Sequence, residues 1–171
     1  MPKFSDGHYK KLLGYSGDVS GSGALGSIYY QGVIDVYDGT PPADANDAIT
    51  TQTLIGRITL NGGAFTEGVG TNGLVFDAPT VSGSGTSKVG VLKKPDLAMW
   101  AIVAGTLSGT KTATWARLRG NAIDSAGLST TLPRIQLSVS DTNGAGELQL
   151  TGVSFVTGTT ESVGKLQFEI T

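Results

Sequence analysis

Alternation of polar and apolar residues is the strongest constraint on this chain, and it recurs from Ser27 onward. In the final stretch, Lys165, Gln167 and Glu169 are placed to face water, and Leu166, Phe168 and Ile170 to face a core. Side chains take opposite sides in this way only along an extended strand. Arg134–Val139 repeats the pattern with Ile135, Leu137 and Val139 inward, and Glu147–Leu150 does the same. Thr114–Arg119 puts Ala116 and Leu118 on one face and Trp115, Arg117 and Arg119 on the other. Strands with one polar and one apolar side belong to antiparallel sheets that are wet on one face. Two such sheets hide their apolar faces by packing together. The expected fold is therefore all-β, an antiparallel β-sandwich of jelly-roll type with about eight strands.

Turn chemistry agrees. Glycine is the compositional outlier, at 26 of 171 residues. Asn61-Gly62-Gly63, Asn72-Gly73 and Asn143-Gly144 supply the residues that tolerate the positive φ of tight turns. Asp141–Gly146 separates two alternating segments, which predicts a hairpin from about Arg134 to Leu150. The chain is long enough to bury roughly 70% of its unfolded surface in one domain. Residues 1–27 differ from the rest and read as an N-terminal arm, leaving 28–171 as the sandwich domain. The arm carries Phe4, Tyr9, Leu12, Leu13 and Tyr15, followed by a Gly/Ser-rich stretch that is flexible by composition. It reads either as a frayed terminus or as a segment that buries these side chains against a neighbouring subunit.

The residues for catalysis or metal binding are scarce. Cysteine is absent and His8, within the arm, is the sole histidine. A nucleophile–base pair needs a rigidly held base, and zinc or copper sites need His or Cys ligands. No catalytic residue, metal site or cofactor is expected. Asp35, Asp38, Asp44 and Asp47 surround a proline-rich loop and suit either calcium or, with no ion at all, Asx-turns. A net charge of -2 gives no reason to invoke nucleic acid. No apolar run reaches the length of about 18 residues that spans a membrane, and the N-terminus lacks a signal-peptide core, so assembly in a cytoplasm is expected. The Trp115, Arg117 and Arg119 face is the most distinctive surface. It fits either a partner, since Trp and Arg are enriched at binding hot spots, or a buried face with Arg117 paired to an acid.

Ser27–Leu60 reads as strand, stiff loop and strand, with Asp38-Gly39-Thr40-Pro41-Pro42 stopping the first strand. Gly32, Ile34, Tyr37, Gly39, Pro42, Asp44 and Asp47-Ala48, followed by Thr53-Leu54-Ile55 and Ile58-Thr59, resemble a recurrent signature in structural proteins of tailed bacteriophages. Gly109–Arg117 is similar to a further segment of that family. The resemblance implies a non-enzymatic virion component, foremost a capsid decoration or cement protein. Its partners would be the major capsid protein or other virion proteins and copies of itself, with trimers favoured. The alternatives are a head–tail or tail component, or a carbohydrate-binding tail module that stacks sugars on Tyr29, Tyr30 or Trp100.

Overall fold

The computed structural model describes residues 3–5, 28–76, 80–82 and 89–170. Every named element among them is a strand. In chain order these are β1 (Lys3–Phe4), β2 (Val33–Asp38), β3 (Thr53–Leu60), β4 (Thr80–Ser82), β5 (Val89–Lys93) and β6 (Trp100–Ala104). There follow β7 (Lys111–Thr112), β8 (Trp115–Arg119), β9 (Arg134–Asp141), β10 (Leu148–Leu150), β11 (Ser154–Phe155) and β12 (Thr160–Ile170).

Hydrogen-bonded pairing starts at β2, where Val33-Ile34-Asp35-Val36-Tyr37 supplies β-branched and aromatic residues. β2 lies between β8 and β3, β3 pairs with β6, and β6 meets the first residues of β12. On the other side β8 pairs with β9, and β10 joins β9 to the middle of β12. The outcome is a closed ring of 7 strands in the order β9-β8-β2-β3-β6-β12-β10. The last residues of β12 pair with β5, which carries β4, while β1 lies on the edge of β9. β7 and β11 form a small separate pair.

The fold is all-β, as the alternation predicts, but the pairing differs from two stacked layers. The reason lies in β12. At 11 residues it is long enough to pair with β6 at its start and with β10 further on. One strand thereby stitches together what would otherwise be separate sheets, and closure leaves few unpaired edges in the ring.

The expected hairpin over Arg134–Leu150 does not form. β10 runs parallel to β9, with Leu148 opposite Val139 and Leu150 opposite Asp141. The Asn143-Gly144 reversal does occur, started by Asn143 N donating to Asp141 Oδ1 at 3.0 Å. A second reversal follows at Glu147, whose carboxylate accepts from Ser138 N at 2.8 Å and from the Ser138 hydroxyl. That clasp draws residue 147 back level with residue 138, so β10 sets off again in the direction of β9. Parallel neighbours ordinarily need a crossover of about a dozen residues. Here a side-chain carboxylate substitutes for one.

The ring interior is filled by the alternate residues of each strand. Ile34, Val36, Ile58, Ile102, Ala116, Leu118, Ile135, Leu137, Leu148, Leu150, Val163 and Leu166 are all buried. Two glycine-containing positions are dictated by geometry. A Cβ on Gly32 would lie 2.2 Å from the Arg119 carbonyl oxygen, so only glycine lets β2 enter beside β8. Asn61 and Gly62 both take positive φ, at 56° and 66°, in the turn after β3.

The faces of β12 are directly testable at two adjacent residues. Leu166 is buried and Lys165 exposed. Leu166→Ala should cost about 2–5 kcal/mol through lost burial and a residual cavity. Lys165→Ala should stay within about 0.5 kcal/mol, both read from urea unfolding midpoints.

Candidate functional site

Strand register assembles one unusual face. Across β2, β8 and β9, Val33 lies opposite Arg119 and Arg119 opposite Arg134; Asp35, Arg117 and Gln136 form the next row, and Tyr37, Trp115 and Ser138 the third. Arg57 on β3 lies opposite Asp35. These residues alternate with the core residues and so point out of the ring. All four arginines of the chain are gathered on this face.

An outward polar face would ordinarily be wet, yet Arg117, Arg119 and Arg134 are 1%, 2% and 1% exposed. The cause is a cover formed by two loops, residues 39–52 and 120–133. Side chains from the sheet donate to the first loop's carbonyls in a row. Gln136 Nε2 reaches Asp44 O at 3.1 Å, Arg134 Nη1 reaches Asn46 O at 3.3 Å, and Arg117 Nη1 reaches Asp47 O at 3.2 Å. Arg134 also grips the second loop. Its Nε and Nη2 bond to Asp124 Oδ2 and Oδ1 at 2.8 and 2.5 Å, and its Nη1 donates to Gly127 O at 2.9 Å. The loops bond each other through Ile49 N to Ala126 O and Ser129 N to Asn46 O, each 2.9 Å.

The far end of the face holds an ion-pair network. Asp35 accepts from Arg119 Nε at 2.7 Å and from Arg57 Nε at 3.0 Å. Glu67 Oε1 takes Arg119 Nη2 at 2.8 Å, with Arg57 Nη2 at 3.6 Å. At the near end Tyr37 and Trp115 stack with ring centroids 4.5 Å apart, and the Arg117 guanidinium lies 5.6 Å from the Trp115 centroid. Burial and the like charge of Arg134 lower the Arg117 pKa. Burial alone would raise Asp124, but hydrogen bonds from Arg134 and the Ala126 amide outweigh it and hold the carboxyl below its ordinary range.

A cleft of about 180 Å³ opens beside the stack, lined by Pro41, Thr114, Trp115, Gln136, Leu137, Ser138 and Glu147. Burial would raise Glu147 too, but the Ser138 hydroxyl and amide hold it below the usual range. A carboxylate so stabilised is a weak base at neutral pH. The Ser138–Glu147 pair fixes the chain path between β9 and β10.

Of the residues expected at an interface, Trp115, Arg117 and Arg119 are brought together, but they face the chain's own loops. It is Arg119 that pairs with acids; Arg117 bonds to a loop carbonyl. Phe4 is placed by its backbone opposite Ile135. Tyr9, Leu12, Leu13 and Tyr15 lie outside the described residues. Asp44 and Asp47 serve their own loop, since Asp47 Oδ2 accepts from Asp44 N at 2.9 Å and Asp44 Oδ1 from Asn46 N at 2.8 Å. Among the described residues no group of three or more His, Cys, Asp or Glu side chains could hold a metal ion. Of the aromatics considered for stacking sugars, Tyr29 and Trp100 are buried and Tyr30 is exposed. Arg57, Glu67, Asp124, Arg134, Gln136 and Glu147 were not foreseen in this role. Their signal was cross-strand register, which sequence alternation alone does not supply. No family model matches the chain, and neither a curated protein nor a solved structure matches it.

Arg134→Met should cost about 3–5 kcal/mol, because it strands the Asp124 charge under cover. The depressed Asp124 pKa adds stability that is present above the unfolded value of about 3.9 and lost as pH falls through the folded value. Urea midpoints of the Asp124→Asn variant should accordingly depend less on pH below that value than those of the parent chain.

Proposed function

We propose that this chain is a non-enzymatic structural protein of a tailed-bacteriophage virion, a decoration or cement protein that binds the major capsid protein and further copies of itself. Assembly takes place in the host cytoplasm, and trimers are the expected form. The reading is carried by the signature in Ser27–Leu60, together with what its residues do. Gly32 permits the close approach of β2 to β8, Ile34 and Ile58 fill the ring, Tyr37 stacks on Trp115, and Asp44 turns the loop. A signature made of packing and turn residues suits a scaffold more than a reaction.

The disposition of charge supports the same reading. Asp35, Glu67 and Asp124, which could serve as acids or bases, are bound to arginines. The surface instead displays large apolar side chains, with Leu97 at 96% exposure and Met99, Ile123 and Leu128 at 70% or above. In this reading these side chains are contact points for another protein, paired along the sequence as Leu97 with Met99 and Ile123 with Leu128. In this reading the ring is a flattened barrel, with β9-β8-β2-β3 and β6-β12-β10 as the two walls of a jelly-roll-like body.

Sedimentation velocity of the pure protein should show a trimer, and cryo-electron microscopy of virions should place it on the head in a fixed ratio to the capsid protein. Ring-shaped six- or twelve-fold particles would move it to the neck. Robust hydrolytic turnover, abolished by one carboxylate substitution, would overturn the structural reading.

A further inference from the structure

β1 is an addition to a ring that closes without it. The ring joins β9 to β12 through β10, at Val139–Asp141. β1 occupies a different stretch of the same strand, with Lys3 opposite Gln136 and Phe4 opposite Ile135. The next residue secures it. Ser5 N donates to Arg134 O at 3.0 Å, Ser5 Oγ donates to Leu132 O at 2.9 Å, and Arg134 N donates back to Ser5 Oγ at 2.9 Å. Ser5 is fully buried by these contacts. Three residues thus seat in a built receptor on β9.

The connection between this strand and the barrel is far longer than the fold requires. Residues 6–27 separate Ser5 from Ile28, a span of 22 residues. Ile28 lies beside Gly120, where an added Cβ would stand 3.1 Å from the Ile28 carbonyl oxygen. Gly120 follows Arg119, which pairs with Arg134, the residue that Ser5 binds. The two ends of the connection are therefore about two strand spacings apart, roughly 10 Å. A chain of that length can reach up to about 70 Å. It is therefore also long enough to deliver Lys3–Ser5 to β9 of an adjoining molecule.

We propose that Lys3–Ser5 is an exchanged strand, seated in the oligomer on β9 of a second copy of this chain. Exchange reproduces every contact of the closed monomer, so its net drive comes from surfaces that only the assembly covers. The loop 120–133 provides one. It holds Leu132, to which Ser5 donates, and it displays Ile123 and Leu128 at 73% exposure each. The inference rests on the self-association in the proposed function and names the segment that carries it.

The absence of cysteine makes the test clean. Single variants K3C and Q136C are unfolded together, refolded as a mixture and oxidised. Directly opposed Cα partners lie within disulfide reach. A K3C–Q136C heterodimer on a non-reducing gel, absent when K3C is paired with the exposed control L97C, is the expected result. No heterodimer, with the K3C/Q136C double variant closing its disulfide within one chain and still sedimenting as the parent oligomer, would overturn the exchange and leave self-association standing. Because Gln136 also holds the 39–52 loop, a chain lacking residues 1–5 gives an independent reading. It should keep the parent's far-ultraviolet spectrum and sediment as a monomer. A truncated chain that remains oligomeric, or that no longer folds, overturns the proposal. A parent chain that is monomeric at every concentration and absent from virions overturns the proposed function as well.

Discussion

A buried guanidinium is costly unless its N–H groups find oxygen partners and its charge is compensated, and Arg134 gains both by reaching three places at once. It forks onto Asp124, touches the Gly127 carbonyl, and touches the Asn46 carbonyl. Those places belong to the two loops that cover the sheet. Neither loop is stabilised by a ladder of its own, and covered carbonyls without donors are costly. Gln136, Arg134 and Arg117 supply donors to Asp44, Asn46 and Asp47 in succession. Lysine could not replace arginine here, because a single ammonium lacks the planar fork that holds a carboxylate and two carbonyls together.

The remaining charges follow from the same constraint. Four guanidiniums on this face meet three carboxylates, Asp35, Glu67 and Asp124. Arg117 is the cation left without one, and its lowered pKa reflects burial and the nearness of Arg134. What holds it is the Asp47 carbonyl and the face of Trp115, an indole fixed in place by Tyr37. The aromatic stack and the loop clamp are thus one device. Disturbing Tyr37 would free the ring that helps to hold Arg117, and Arg117 helps to hold the loop.

Much of this was legible in the sequence and some was not, for definable reasons. Alternation correctly separated Ala116 and Leu118 from Trp115, Arg117 and Arg119, and Ile135 and Leu137 from Arg134 and Gln136. It says only that the two faces differ. Whether the polar face is wet depends on loops arriving from residues 39–52 and 120–133, which no local pattern announces. The Asn143-Gly144 turn was recognisable, but the second reversal rests on a hydrogen bond from Ser138 to Glu147, nine residues on. The clue to the cluster lay in residue choice. Every arginine falls within β3, β8 or β9 at an outward position, although a merely wet strand face could as well carry lysine.

Drawing the arginines under cover also determines what is left outside. Of the 26 charged residues in the chain, four cations and three acids are committed to this face, and Leu97, Met99, Ile123 and Leu128 stand exposed elsewhere. In the proposed assembly those apolar side chains would supply contact at close range. Orientation would then fall to backbone pairing, a directional interaction that needs no charge. The edge of β9 beside Leu132 and Arg134 can provide it, because Ser5 is bound there by backbone and hydroxyl groups alone.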